Sequence, residues 1–79
     1  MIKTIQKIGN KVSKKYSVPN PIVTKLFKEK DRKYNWYEIR TELPSYEGGS
    51  EFQEKIEKKF PNYIVENQGG CVYIAYRPN

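Results

Sequence analysis

The chain of 79 residues has no histidine, one cysteine and no long apolar run. The absence of histidine removes the commonest general base and the commonest metal ligand. A single cysteine excludes an internal disulfide and a cage of thiolate ligands. The apolar runs are far shorter than the roughly 20 residues that cross a bilayer. We therefore expect no metal site, no bound cofactor, no disulfide scaffold and no membrane span.

Groups that suit catalysis are equally scarce. Cys71 has no histidine to activate it, so it is expected to be a small buried residue. The carboxylates Glu51, Glu54 and Glu57 have the spacing of exposed residues on one helix. We therefore expect that the protein is not an enzyme.

The length of the chain indicates one domain, 1–79, with a thin core. The N-terminal stretch never develops the apolar segment of a signal peptide, so a cytoplasmic location is expected.

The net charge of +6 is unevenly distributed along the chain. Residues 1–33 hold ten basic and two acidic side chains, whereas residues 34–79 hold five and seven. A basic end attracts polyanions such as nucleic acids, although a charge run is also common on a merely solvated face.

Helical spacing dominates residues 1–33, which are predicted as a basic helical hairpin. Apolar residues at spacings of three and four predict an amphipathic helix over 2–16, with lysines on its opposite side and an interruption at Gly9-Asn10. Asn20 and Pro21 are typical of an N-cap and a first helical position, so a second helix is predicted over 22–30.

Residues 34–79 combine strand and helix patterns and are predicted as a β-α-β-β part. Alternation predicts a strand over 34–42, with Tyr37 and Ile39 on one side. The spacing of Ser50 and Gln53 predicts a capping box at the start of a helix that ends before Pro61. The turn residues 67–70 predict a hairpin with strands at 63–66 and 71–76.

The predicted fold class is α+β with the element order α-α-β-α-β-β. This order comprises two N-terminal helices, one strand, a third helix and a C-terminal β-hairpin. The helices are expected to pack on one face of a small antiparallel sheet of about three strands.

The first two predicted helices and their connection form a pattern of their own. Val12 and Tyr16 would be buried in the first helix, Val18 would fill the turn, and Leu26 and Phe27 would be buried in the second helix. Residues 9–28 therefore resemble the generic helix-turn-helix motif of DNA-binding proteins, in which the second helix enters the major groove. A plain helical hairpin has much the same apolar spacing.

The resemblance implies a set of DNA-contacting residues. Residues of the second helix would face base edges, since Asn can recognise adenine and Lys can recognise guanine. These positions are Asn20, Thr24, Lys25 and Lys28. Further basic residues would contact phosphates and add affinity without reading sequence. They are Lys11, Lys14, Lys15, Arg32 and Lys33.

Two functions remain open from the sequence. The first is a small basic DNA-binding protein, a helix-turn-helix transcriptional regulator that binds duplex DNA as a homodimer, because one half-site seldom supplies enough affinity. The alternative is a protein-binding module or inhibitor that docks on a larger nucleic-acid-processing partner through the aromatic strand and the hairpin. DNA binding requires Thr24, Lys25 and Lys28 to be exposed, whereas docking on a protein requires Tyr34 and Trp36 to be exposed.

Overall fold

The computed structural model describes residues 1–26 and 36–77. The elements are α1 (Ile2–Lys15), β1 (Ile22–Leu26), β2 (Trp36–Arg40), α2 (Ser50–Lys59), β3 (Ile64–Gly69) and β4 (Val72–Tyr76). A π-helical turn, Ser45–Gly49, leads directly into α2. The four strands form one antiparallel sheet in the order β1-β2-β4-β3. The order α-β-β-α-β-β places each helix before a pair of strands.

The α+β class agrees with the prediction, but the predicted order α-α-β-α-β-β is wrong. Residues 22–26 of the predicted second helix instead form the strand β1, which pairs with β2 so that Ile22 lies opposite Arg40 and Leu26 opposite Trp36. The rest of that prediction, 27–30, lies outside the described residues. Ile22, Val23 and Thr24 are consecutive β-branched residues, which favour a strand. In so short a segment the apolar spacing fits either element, so pairing with β2 decides the outcome.

Helix α1 is continuous, so the predicted interruption at Gly9-Asn10 is also wrong. Gly9 is buried, and both α2 and the chain before β1 approach α1 closely at this position. A Cβ atom at this position would lie 2.9 Å from Cζ of Phe52 and still closer to Cγ of Pro21. Gly9 therefore allows α1, α2 and the chain before β1 to pack closely, and it does not interrupt the helix.

Helix α1 ends in a Schellman motif with serine at the left-handed position. The Ser17 N–H donates to the Lys14 carbonyl at 3.2 Å, and the Val18 N–H donates to the Ser13 carbonyl at 3.0 Å. Ser17 has a φ of +57°, which glycine adopts more easily. Val18 packs against the core just beyond this turn, as the motif usually requires.

The core lies between the two helices and one face of the sheet. The alternation predicted for the strand at 34–42 is confirmed over β2, where Tyr37 and Ile39 are buried. Tyr73 and Ala75 of β4 lie opposite them and are also buried. The core is completed by apolar residues from both helices, from β3 and from the loop after β2. These are Ile5, Val12, Leu43, Phe52, Ile56 and Val65.

Helix α2 begins at Ser50 as predicted, but the capping box is wrong. The Ser50 hydroxyl donates to the Ser45 carbonyl at 2.7 Å, and the Gln53 amide donates to the Val65 carbonyl at 2.8 Å. Because the preceding π-helical turn continues into α2, Ser50 is the first residue of the helix rather than its N-cap. Gln53 is thereby available to tie α2 to β3.

The C-terminal hairpin is confirmed, but β3 continues to Gly69 and β4 begins at Val72, so the turn lies at residues 70–71 rather than at the predicted 67–70. Gly69 and Gly70 have positive φ angles of 119° and 55°, as a tight turn requires. The Asn67 side chain accepts a hydrogen bond from the Gly69 N–H at 2.7 Å. Local turn residues were therefore sufficient to predict this hairpin.

Replacing Gly9 by alanine should destabilise the protein. Alanine improves helix propensity by about 1 kcal/mol, but overpacking against Phe52 and the rigid Pro21 ring costs about 1–3 kcal/mol. We expect a net loss in the free energy of unfolding, measured by urea denaturation. Lys3→Ala, at an exposed position of the same helix, is the control and should change stability little. A gain in stability for Gly9→Ala would contradict the close approach.

Replacing Ser17 by glycine should stabilise the protein by about 0.5–1 kcal/mol. The left-handed conformation costs an L-residue about 1–2 kcal/mol, which exceeds the extra entropy that glycine adds to the unfolded chain. Thermal denaturation would show a higher melting temperature. Ser17→Val should lower it, because a β-branched residue tolerates this conformation poorly. Equal melting temperatures for the three proteins would mean that the turn is not strained.

Candidate nucleic-acid interface

Four lysines form a stripe along the exposed side of α1. Lys3, Lys7, Lys11 and Lys14 recur at spacings of four and three, and all are exposed. At about 1.5 Å per residue, the stripe extends over about 16 Å. Helix α1 contains no acidic residue, so no carboxylate within the helix neutralises these charges.

Helix α2 adds a fifth lysine to this surface. Lys59, in the last turn of α2, lines one groove together with Lys7 and Lys11. At the opposite end of the helix pair, Glu51 in the first turn of α2 contacts Lys15 in the last turn of α1. The two helices therefore run antiparallel. We call Lys3, Lys7, Lys11, Lys14 and Lys59 the lysine face.

Three carboxylates of the described residues lie away from the lysine face. Glu38 and Glu66 project from the sheet on the side opposite the buried residues. On α2, Glu57 is one turn beyond Gln53, which binds β3 rather than α1. Within residues 1–26 and 36–77, no lysine of the lysine face forms an ion pair. Within the described residues, the lysine face therefore keeps five positive charges that no ion pair neutralises.

Lys15 was predicted to contact phosphate, but in the structure it forms an ion pair with Glu51. Its Nζ donates to Oε1 of Glu51 at 2.8 Å, and the Tyr16 hydroxyl donates to the same oxygen at 3.3 Å. Lys55 lies 3.4 Å from the other oxygen of Glu51. The hydrogen bond from Lys15 lowers the pKa of Glu51 below its ordinary value and raises the pKa of Lys15. Lys15 is thus engaged in joining α1 to α2.

The residues predicted to read base edges do not form one surface. Asn20 is exposed in the loop before β1, whereas Thr24 and Lys25 are exposed within β1. Because side chains alternate along a strand, Thr24 and Lys25 point to opposite faces of the sheet. Lys25 lies opposite the buried Tyr37, on the side of the helices. The predicted helix that would have aligned these residues in a major groove is not formed, because residues 22–26 are a strand.

The remaining predicted DNA contacts divide into two groups. Lys11 and Lys14 are exposed on the lysine face, and their contact with phosphates stays a prediction. Lys28, Arg32 and Lys33 lie outside the described residues, as does Tyr34 of the alternative hypothesis.

Three lysines of the lysine face were not among the DNA contacts predicted from the sequence. Lys3 and Lys7 have the same helical spacing as Lys11, so that spacing was a usable signal. Lys59 is distant in sequence and joins the surface only because the helices pack antiparallel.

The face of the sheet that points away from the helices is the surface to consider for the alternative hypothesis of a protein partner. Leu26, Trp36, Tyr76 and Ile64 are register partners and form one apolar row across the four strands. The Trp36 and Tyr76 rings stack with centroids 4.6 Å apart and planes 13° apart. The Tyr76 hydroxyl donates to Glu66 at 2.8 Å, which raises the pKa of Tyr76. These contacts stabilise the sheet itself, and docking of a protein on this row stays a prediction.

Comparison with protein-family models, curated proteins and solved structures found no match for the chain. Within the described part of the chain, no helix is long and apolar enough to cross a membrane. Over the same residues, no three His, Cys, Asp or Glu side chains are grouped as metal ligands.

The contact between Glu51 and Lys15 should make stability depend on acid pH. Because the folded-state pKa of Glu51 lies below its ordinary value of 4.5, the pair stabilises the fold above that pH. This contribution is lost as pH falls through the lowered pKa. Glu51→Gln should therefore be less stable than the natural protein at neutral pH, and the difference should vanish in acid.

Urea denaturation at a series of pH values measures this difference. Glu54→Gln, which removes an equal charge from an exposed carboxylate of the same helix, is the matched control. A pH-independent difference between Glu51→Gln and the natural protein would contradict the role of the charged pair.

Proposed function

We propose that the protein binds nucleic acid by contacting the phosphate backbone with its lysine face. The observation that supports this function is the grouping of five exposed lysines from α1 and α2 without a carboxylate partner among the described residues. Lysine ammonium groups neutralise phosphates and release condensed counterions, which drives binding without reading sequence. Duplex DNA is the expected ligand.

The surroundings of α1 favour contact with phosphates over insertion into a groove. A major groove is about 12 Å wide and accepts about one helix. Helix α2 packs beside α1, and the chain at Pro21 and Val23 runs along its other side. Two helices packed about 8–10 Å apart present a surface too broad to enter that groove. The lysine face is therefore suited to lie across the backbone of a duplex.

This mode of binding differs from that of a sequence-reading regulator. Without a helix at residues 22–26, the predicted base-reading residues Asn20, Thr24 and Lys25 are not aligned on one element. We therefore expect the protein to bind duplexes of different sequence with similar affinity, and to function at many DNA sites rather than at one specific sequence. The cytoplasmic location and the homodimer expected from the sequence stay predictions, and sedimentation of the DNA complex would measure its stoichiometry.

Binding to a blunt duplex should weaken strongly with salt. Five neutralised phosphates give a slope of about −4.5 for log affinity against log salt, so a fourfold rise in salt weakens binding several hundredfold. Fluorescence anisotropy with a labelled duplex measures this slope. Removing one lysine, as in Lys7→Ala or Lys11→Ala, should reduce the slope by about 0.9.

Lys55→Ala is the matched control for these variants. It removes the same charge from the molecule, but Lys55 lies beside Glu51 rather than on the lysine face. Its slope should equal that of the natural protein. A salt-independent affinity, or an equal loss in all three variants, would contradict the proposed surface. If the protein binds no duplex at low salt, the protein-partner hypothesis becomes the favoured function.

A further inference from the structure

A groove of about 560 Å³ lies between α1 and the beginning of β1, directly beside the lysine face. Its apolar part comes from Ile2 and Val23, and its polar part from Gln6 and Asn10. Lys3 and Lys7 belong both to this groove and to the lysine face. The groove is open to solvent, and its lining combines apolar side chains with a few polar groups, as ligand sites do.

The hydrogen bonds of Gln6 determine how the polar groups of the groove are oriented. The Gln6 Nε2 lies 2.7 Å from the Pro21 carbonyl oxygen, which can only accept, so this atom of Gln6 must be the donor. The same Nε2 donates to Asn10 at 2.8 Å, so the Asn10 atom that faces it must be Oδ1. The Asn10 Nδ2 is therefore the atom turned away from Gln6.

Asn10 consequently offers two N–H donors beside the lysines. Its Nδ2 has no hydrogen-bond partner within residues 1–26 and 36–77, and the side chain is half-buried. The bond to Gln6 holds the amide in place before any ligand arrives. Among the described residues, no acidic side chain lines the groove. The site thus combines a preoriented donor, two cations and an apolar wall.

Phosphate binding alone accounts for only part of this combination. Lys3 and Lys7 can contact phosphates from the outer surface. The apolar side chains of Ile2 and Val23 cannot form a hydrogen bond or an ion pair with a phosphate. An apolar wall beside an amide donor suits a nucleobase, which has apolar faces and carbonyl or ring-nitrogen acceptors at its edge. In a perfect duplex the bases are stacked and cannot reach the wall. An unpaired nucleotide can leave the stack and enter a pocket.

We propose that the groove holds an unpaired nucleotide of the bound nucleic acid. Its phosphate contacts Lys3 and Lys7, its base packs against Ile2 and Val23, and the Asn10 amide donates to an acceptor of the base. This inference rests on the proposed function of the lysine face and specifies the class of nucleic acid that the face prefers. Duplexes with a bulged nucleotide should bind more tightly than perfect duplexes.

The test compares two labelled duplexes of the same sequence, one blunt and one with a single unpaired nucleotide at its centre. Fluorescence anisotropy at one salt concentration gives both affinities. The natural protein should bind the bulged duplex roughly twofold to tenfold more tightly, as expected for one added hydrogen bond. Asn10→Ala should remove most of this preference and leave the affinity for the blunt duplex unchanged.

Gln68→Ala, an exposed amide at the end of the hairpin, is the matched control and should keep the preference. Thermal denaturation confirms that each variant is folded. Equal affinity of the natural protein for both duplexes would overturn this inference but leave the proposed function intact. A preference that survives in Asn10→Ala would overturn it as well. Binding to neither duplex would overturn the proposed function and this inference together.

Discussion

The close approach of Pro21 and Phe52 to Gly9 is the contact on which the rest of the arrangement depends. Because Gly9 has no side chain, both α2 and the chain before β1 can approach α1 closely at this position. Both neighbours cover the apolar side of α1, so its lysines face outward. The groove at Asn10 exists for the same reason, since Pro21 supplies the carbonyl that orients Gln6.

The two helices also divide the charges of the molecule between different surfaces. Glu51 holds Lys15 and Lys55 at the junction of α1 and α2, whereas Lys59 lies with the lysines of α1 at the other end. A lysine close to a carboxylate attracts a phosphate weakly, because the two charges largely cancel. Among the described residues, the lysines of the lysine face are therefore better suited to bind a phosphate than Lys15 and Lys55, which lie beside Glu51.

Several features of this fold were readable from local sequence. The apolar spacing of α1, the alternation of Tyr37 and Ile39 in β2 and the glycines of the hairpin each reflect interactions within a few residues. Such patterns survive in any tertiary context that buries one face. The exposed lysines of α1 follow from the same periodicity. Lys11 and Lys14 were therefore placed correctly on a solvent-facing surface.

The sequence by itself determined a small basic α+β domain with an amphipathic N-terminal helix, a helix beginning at Ser50 and a C-terminal hairpin. Only the tertiary structure decided that residues 22–26 form a strand, because backbone pairing with β2 is stronger than the weak helical preference of five residues. That pairing sends Thr24 and Lys25 to opposite faces. Likewise, antiparallel packing alone brings Lys59 to Lys7 and Glu51 to Lys15. Charges and hydrogen bonds between distant segments depend on where the chain returns, which local spacing does not encode.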